Sequence, residues 1–150
     1  MPSDLYQTFN PKENNFLVLD DQMLEASKSE QLERIFVQGS HHRNLTVVLI
    51  MQNIFEKGKA MRTSNLNANY LVLYKNPRDK GQVGILGRQL YATKWRQFVA
   101  ALEDATSKPY SYLLVDLRPE TPDDYRLRAN IFPTDDDLAR NVYIIMEGGN

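Results

Sequence analysis

Residues 16–21 read Phe-Leu-Val-Leu-Asp-Asp, so that four apolar side chains run directly into two adjacent carboxylates. Such a run is typical of a buried parallel strand that carries acidic groups to the carboxyl end of a sheet. The apolar residues bury the strand, and the acids after it lie where parallel sheets gather their ligands. The segment therefore predicts an α/β domain with Asp20 and Asp21 at a sheet edge.

The rest of the chain continues this alternation of strands and helices. Strands are predicted at 16–19, 45–51, 70–74, 110–117 and 125–131, and helices at 27–37, 78–90 and 93–105. This order predicts an α/β fold with a mostly parallel sheet and a C-terminal antiparallel pair formed by the last two strands. Residues 1–15 form a polar lead-in, 16–133 the domain, and 134–150 a tail of unclear structure.

Composition limits the class of protein. The 150 residues are 42% hydrophobic and 25% charged, as in one soluble domain, and the net charge of -1 gives no overall attraction to nucleic acid or membrane. The absence of cysteine excludes a disulfide framework and a thiolate metal site. No apolar run approaches the roughly 20 residues of a membrane span, and no signal peptide is visible. We expect an intracellular protein without a membrane partner.

Asp20 and Asp21 have two interpretations. In nucleotide hydrolases, a carboxylate in the position of Asp20 binds Mg²⁺, directly or through water, and one in the position of Asp21 orients or deprotonates the attacking water. Alternatively, an acid between a strand and a helix is an N-cap, worth about 1 kcal/mol. A single acid is enough for a cap, and a second one beside it adds charge repulsion that costs free energy. This repulsion supports the first interpretation.

Gln52 and Arg43 are the other candidate site residues. Gln52 follows the second apolar strand, where its amide could bind a γ-phosphate or the attacking water, although strands also end in polar residues wherever they meet solvent. Arg43 precedes that strand and could reach a neighbouring subunit's nucleotide, or be simply solvated. Several basic residues could contact a nucleic-acid backbone. They are Lys57, Lys59, Arg62, Lys75, Arg78 and Lys80. Acids lie close to them in the sequence, which favours a solvated surface instead.

These motifs carry a family resemblance. Residues 16–21 and 39–53 resemble the Walker B strand, arginine loop and sensor strand of FtsK/HerA-type ATPases. Residues 62–79 and 108–117 resemble the viral genome-packaging branch, related to poxvirus packaging ATPases and to copies in adintovirus and Maverick/Polinton elements. The likeness covers about residues 16–133 and is strongest at 39–80, where several spaced motifs agree.

The resemblance implies a partial P-loop NTPase core of the ASCE/RecA-like kind, from a DNA-translocating ATPase that works as a homo-oligomeric ring. It implies Mg²⁺ and ATP as cofactors and double-stranded DNA as a partner. It assigns Asp20 to the Mg²⁺ site, Asp21 to the base, Gln52 to the sensor and Arg43 to the arginine loop. Asp21 departs from the glutamate that many relatives outside this branch carry.

One part of the family pattern is missing. The chain contains no phosphate loop of the form G-x-x-x-x-G-K-[ST]. Without its backbone N–H groups and lysine, little remains to hold the β- and γ-phosphates. We therefore predict that this chain does not hydrolyse ATP by itself. It is either a portion of a packaging-type ATPase or a non-catalytic module that binds DNA or joins an ATPase ring; an unrelated α/β domain with capping acids is the third possibility.

Overall fold

The computed structural model describes residues 8–20, 35, 44–53, 55, 67–78, 80–132 and 141–146. They belong to two compact units, divided between Ala68 and Asn69. Each unit contains its own sheet. Most of the helix predicted at 27–37 lies outside the described residues, as do two of the predicted site residues, Asp21 and Arg43.

The first unit contains a pair of parallel strands. β1 (Asn15–Leu19) and β2 (Leu45–Leu49) pair with Asn15 opposite Leu45 and Leu19 opposite Leu49. Both are short, apolar and partly β-branched, as expected for strands. The predicted second strand extended to Met51, whereas β2 ends two residues earlier, at Leu49.

The burial of β1 differs from the prediction of a strand covered on both faces. Leu19 is 2% exposed and packs against Leu17, Val47 and Leu49. Phe16 and Val18, on the opposite face, are 65% and 48% exposed. Alternate side chains of a strand point to opposite faces, so this pattern means that the described part of the chain covers only one face of β1.

The second unit combines two α-helices with an antiparallel sheet. Its elements are β3 (Tyr70–Tyr74), α1 (Lys80–Tyr91), α2 (Trp95–Ala105), β4 (Tyr112–Asp116), β5 (Leu127–Ala129) and β6 (Asn141–Tyr143). Short 3₁₀ turns cover Ala92–Lys94 and Asp123–Tyr125. The strand order is β3-β4-β5-β6, and every neighbouring pair is antiparallel.

This sheet confirms the C-terminal antiparallel pair and corrects the mostly parallel sheet. Among the described residues, only β1 and β2 are parallel. The connection from β3 to β4 explains the difference. A single crossover helix returns the chain for a parallel strand, whereas two consecutive helices bring it back to the end where β3 stopped. β4 therefore runs antiparallel to β3.

The core of the second unit lies between α2 and the sheet. Its fully buried side chains include Phe98 of α2, Leu113 and Val115 of β4, and Leu127 of β5. α1 packs against α2, with the Tyr91 and Phe98 rings stacked at 5.7 Å. Within the described chain, neither helix is long and apolar enough to cross a membrane.

Contacts with α2 hold the last described segment. The Tyr143 hydroxyl donates to Asp104 Oδ2 at 2.7 Å. The Gln97 side-chain amide donates to the Met146 carbonyl at 3.0 Å, and its Oε1 accepts from the Met146 N–H at 2.8 Å. Burial and the bond to Asp104 both raise the pKa of Tyr143. Gln97 thus satisfies both polar groups of a backbone residue beyond β6.

Candidate functional site

The carboxyl ends of β1 and β2 form the edge where the sequence predicts a nucleotide site. The two strands pair in register, and the Ile50 N–H donates to the Leu19 carbonyl at 2.8 Å. Asp20, directly after β1, therefore lies beside Ile50. Gln52 follows Ile50 by two residues. The parallel pairing brings the segments that carry Asp20 and Gln52 to one edge.

Both side chains are accessible there. Asp20 and Gln52 are exposed, and Gln52 occupies a bend three residues beyond the end of β2. Next to it, Asn53 Oδ1 accepts a hydrogen bond from the Phe55 N–H at 2.8 Å, which fixes a local turn. The other two predicted members, Asp21 and Arg43, lie outside the described part of the chain.

The described residues at this edge do not by themselves make a magnesium–nucleotide site. Mg²⁺ commonly takes one or two carboxylates together with substrate phosphate oxygens, and Asp20 is a suitable carboxylate. The described residues contain no cluster of three histidine, aspartate or glutamate side chains that could hold a metal. The sequence also lacks the phosphate loop. These residues alone do not fit Mg²⁺-ATP.

A second charged cluster, centred on Asp116 at the end of β4, was not predicted. The Asp116 side chain is 0% exposed. Arg118 donates to it through Nε at 3.0 Å and Nη2 at 2.9 Å, in the bidentate geometry that guanidinium and carboxylate prefer. Arg128 of β5 donates to Asp116 Oδ2 through Nη2. One carboxylate thus binds two guanidinium groups.

The electrostatics of this cluster indicate a structural role. The hydrogen bonds from Arg118 lower the pKa of Asp116 to about 2, against the opposing effect of burial. Arg126 supports the same segment, because its Nη1 donates to the carbonyls of Asp116 and Arg118 at 3.1 and 2.9 Å. A carboxylate held permanently ionised cannot exchange protons near neutral pH. The cluster fixes the turn between β4 and β5.

A shallow depression of about 580 Å³ lies elsewhere in the second unit, beside Tyr91, Asp123 and Arg126. Burial raises the pKa of Tyr91. Arg126 Nε is already paired with Asp123 Oδ1 at 2.7 Å. Asp123 and Arg126 therefore neutralise each other at this depression.

Comparisons of the chain with known protein families, with curated proteins and with solved structures find no match. Candidate roles for Asp20 and Gln52 therefore depend on the sequence motifs and on the geometry of the first unit.

Proposed function

We propose that this chain is a portion of a DNA-packaging or DNA-translocating ATPase of the FtsK/HerA type. It contributes the Walker B acid Asp20 and the sensor amide Gln52, and it does not hydrolyse ATP by itself. The observation that carries the proposal is the parallel, in-register pairing of β1 and β2, which brings the ends of the acid strand and the sensor strand to one edge.

The packing of the first unit supports this proposal. Phe16 and Val18 expose large apolar surfaces on one face of β1, and Ile50 is 50% exposed at the edge beside Asp20. Parallel sheets of α/β domains are normally covered on both faces. An uncovered apolar face is expected if this sheet belongs to a larger domain, because the remaining elements of that domain would cover it.

In the complete motor, Asp20 and Gln52 face the nucleotide, and Asp21 and Arg43 take the base and arginine-loop roles. Mg²⁺, ATP, double-stranded DNA and a ring of identical subunits are the cofactors and partners of that complete protein. The phosphate loop that binds the β- and γ-phosphates must then come from another segment of that complete protein.

Sequencing the transcript and genomic DNA upstream of Met1 tests the proposal. We expect an in-frame G-x-x-x-x-G-K-[ST] after a hydrophobic strand. The extended protein should hydrolyse ATP, and Asp20→Asn should lower its kcat by roughly a hundredfold or more, since metal-assisted stabilisation is worth several kcal/mol. Asp124→Asn, an exposed carboxylate of the second unit, is the matched control and should leave kcat unchanged.

An upstream region without a phosphate loop would overturn this proposal in favour of the second candidate. That candidate is a non-catalytic module that binds DNA or joins an ATPase ring, and the missing loop of the present sequence favours it. It requires binding of duplex DNA or of an ATPase subunit at low salt, measured by fluorescence anisotropy or co-sedimentation. If neither binds, the module hypothesis is wrong.

A further inference from the structure

Two tyrosines lie together at one end of the antiparallel sheet of the second unit. Tyr74 ends β3, Tyr112 begins β4, and they are register partners. Their ring centroids are 6.1 Å apart with an interplanar angle of 58°. Paired residues of an antiparallel ladder share one face of the sheet. Tyr74 is 61% exposed, so its ring offers an accessible π surface on that face.

A third tyrosine lies in the turn that leads into β4. Tyr110 is 97% exposed, and its backbone has a φ of 61°, in the left-handed region that bulky residues avoid. The turn is closed by Ser111, whose hydroxyl donates to the Lys108 carbonyl at 2.6 Å. Glycine would fit this position without strain. The turn therefore holds an aromatic ring in solvent at a cost in backbone energy.

The segments around these tyrosines are basic. Residues 74–80 and 107–112 contain four cationic side chains and one acid, Asp79. The cations, all exposed, are Lys75, Arg78, Lys80 and Lys108. Because β3 and β4 are antiparallel, the end of β3 and the start of β4 lie at the same end of the sheet. The arginines of the segment 116–128, by contrast, form ion pairs with acids and so add little net positive charge there.

We propose that this basic aromatic end, formed by Tyr74, Tyr110, Tyr112 and the four cations, binds single-stranded nucleic acid. Unpaired bases stack on the tyrosine rings while the cations contact phosphates, which is how proteins bind single strands without sequence preference. Duplex DNA keeps its bases stacked inside and offers the rings no base face. The inference does not rest on the proposed function, because it uses no residue of the first unit.

Fluorescence anisotropy of the purified chain with a labelled oligothymidylate of about 15 nucleotides tests this site. We expect the single strand to bind at least tenfold more tightly than a duplex of equal length at the same salt concentration. Tyr110→Gly should weaken binding roughly fivefold or more, by loss of one stacked base. Its thermal midpoint should be unchanged or higher, since glycine relieves the strained φ.

Tyr125→Ala is the control. Tyr125 is an exposed tyrosine too, at 58%, but two acids, Asp123 and Asp124, precede it and would repel phosphates. It should bind as the unmodified chain does. Lys108→Gln should reduce the slope of log affinity against log salt by about 0.7, whereas Lys12→Gln should not change it. Equal affinity for single strand and duplex would overturn the inference. Unchanged affinity of Tyr110→Gly for the oligothymidylate would overturn it too, as would complete displacement of the oligothymidylate by poly-glutamate.

Discussion

Asp20 and Asp116 show how similar local sequences lead to different environments. Asp20 follows Phe-Leu-Val-Leu and Asp116 follows Tyr-Leu-Leu-Val, so that each acid comes at the end of an apolar strand. Asp20 is exposed, whereas Asp116 is buried between Arg118 and Arg128. Since Arg128 comes from another strand, tertiary pairing decides the role of the acid.

Asp116→Asn should destabilise the second unit. Removal of this carboxylate charge should cost roughly 1–2 kcal/mol at pH 7, less than in a fully buried pair, because the guanidinium groups of Arg118 and Arg128 are 37% and 32% exposed and stay partly solvated. The lowered pKa of Asp116, about 2, means that the unfolded state binds its proton first as pH falls. The stabilisation is therefore complete above pH about 4 and is lost as pH falls from about 4 to about 2.

Urea unfolding of the wild-type chain and the Asn variant at several pH values measures this effect. The difference between their free energies of unfolding should narrow as the pH falls from about 4 to about 2. The exposed carboxylate of Asp124 supplies a control, and Asp124→Asn should change stability by less than about 0.5 kcal/mol. A constant difference between wild type and Asp116→Asn from pH 7 to pH 2 would contradict the assignment.

At the level of the helices, glycine decides how closely α1 approaches α2. A Cβ added at Gly87 would lie 3.0 Å from Phe98 Cδ1 and 3.2 Å from the Trp95 carbonyl oxygen. At Gly84 the nearest atom is Arg88 Nη1 at 3.3 Å, the end of a flexible side chain. Gly87 therefore permits the contact with the buried Phe98, whereas Gly84 has room to change.

Gly87→Ala should lower the free energy of unfolding by roughly 1–2 kcal/mol. Overpacking against Phe98 costs about 1–3 kcal/mol and exceeds the gain in helix propensity of at most about 1 kcal/mol. Gly84→Ala should be neutral or stabilising by up to about 1 kcal/mol, for the same gain without the clash. Denaturant unfolding of the two variants separates the effects, and equal changes would show that the close approach of the helices does not matter.

The sequence predicted the elements of the chain better than their pairing. β3 occupies the predicted residues, and the two helices lie close to their predicted bounds. The periodicity of apolar residues determines these elements locally. The direction of β4 relative to β3 depends on how the two connecting helices pack and return the chain, and the exposure of Phe16 depends on what covers β1. Neither follows from local periodicity.

At the scale of the whole molecule, the two units differ in character. The first contains two parallel strands, one followed directly by Asp20 and the other followed after a short segment by Gln52. The second is an antiparallel sheet packed with two helices. The position of Asp20 beside the next strand was predictable, because carboxyl ends of neighbouring parallel strands meet at one edge. The Asp116 cluster was not, because Arg128 reaches Asp116 only through the pairing of β4 with β5.

The hydrolysis of ATP by the purified chain, with and without Mg²⁺, tests the proposed function most directly. The account predicts no magnesium-dependent turnover above the background measured for Asp20→Asn, since the chain contains no phosphate loop. Magnesium-dependent turnover that Asp20→Asn abolishes would contradict it, because the 150 residues would then form a complete catalytic site.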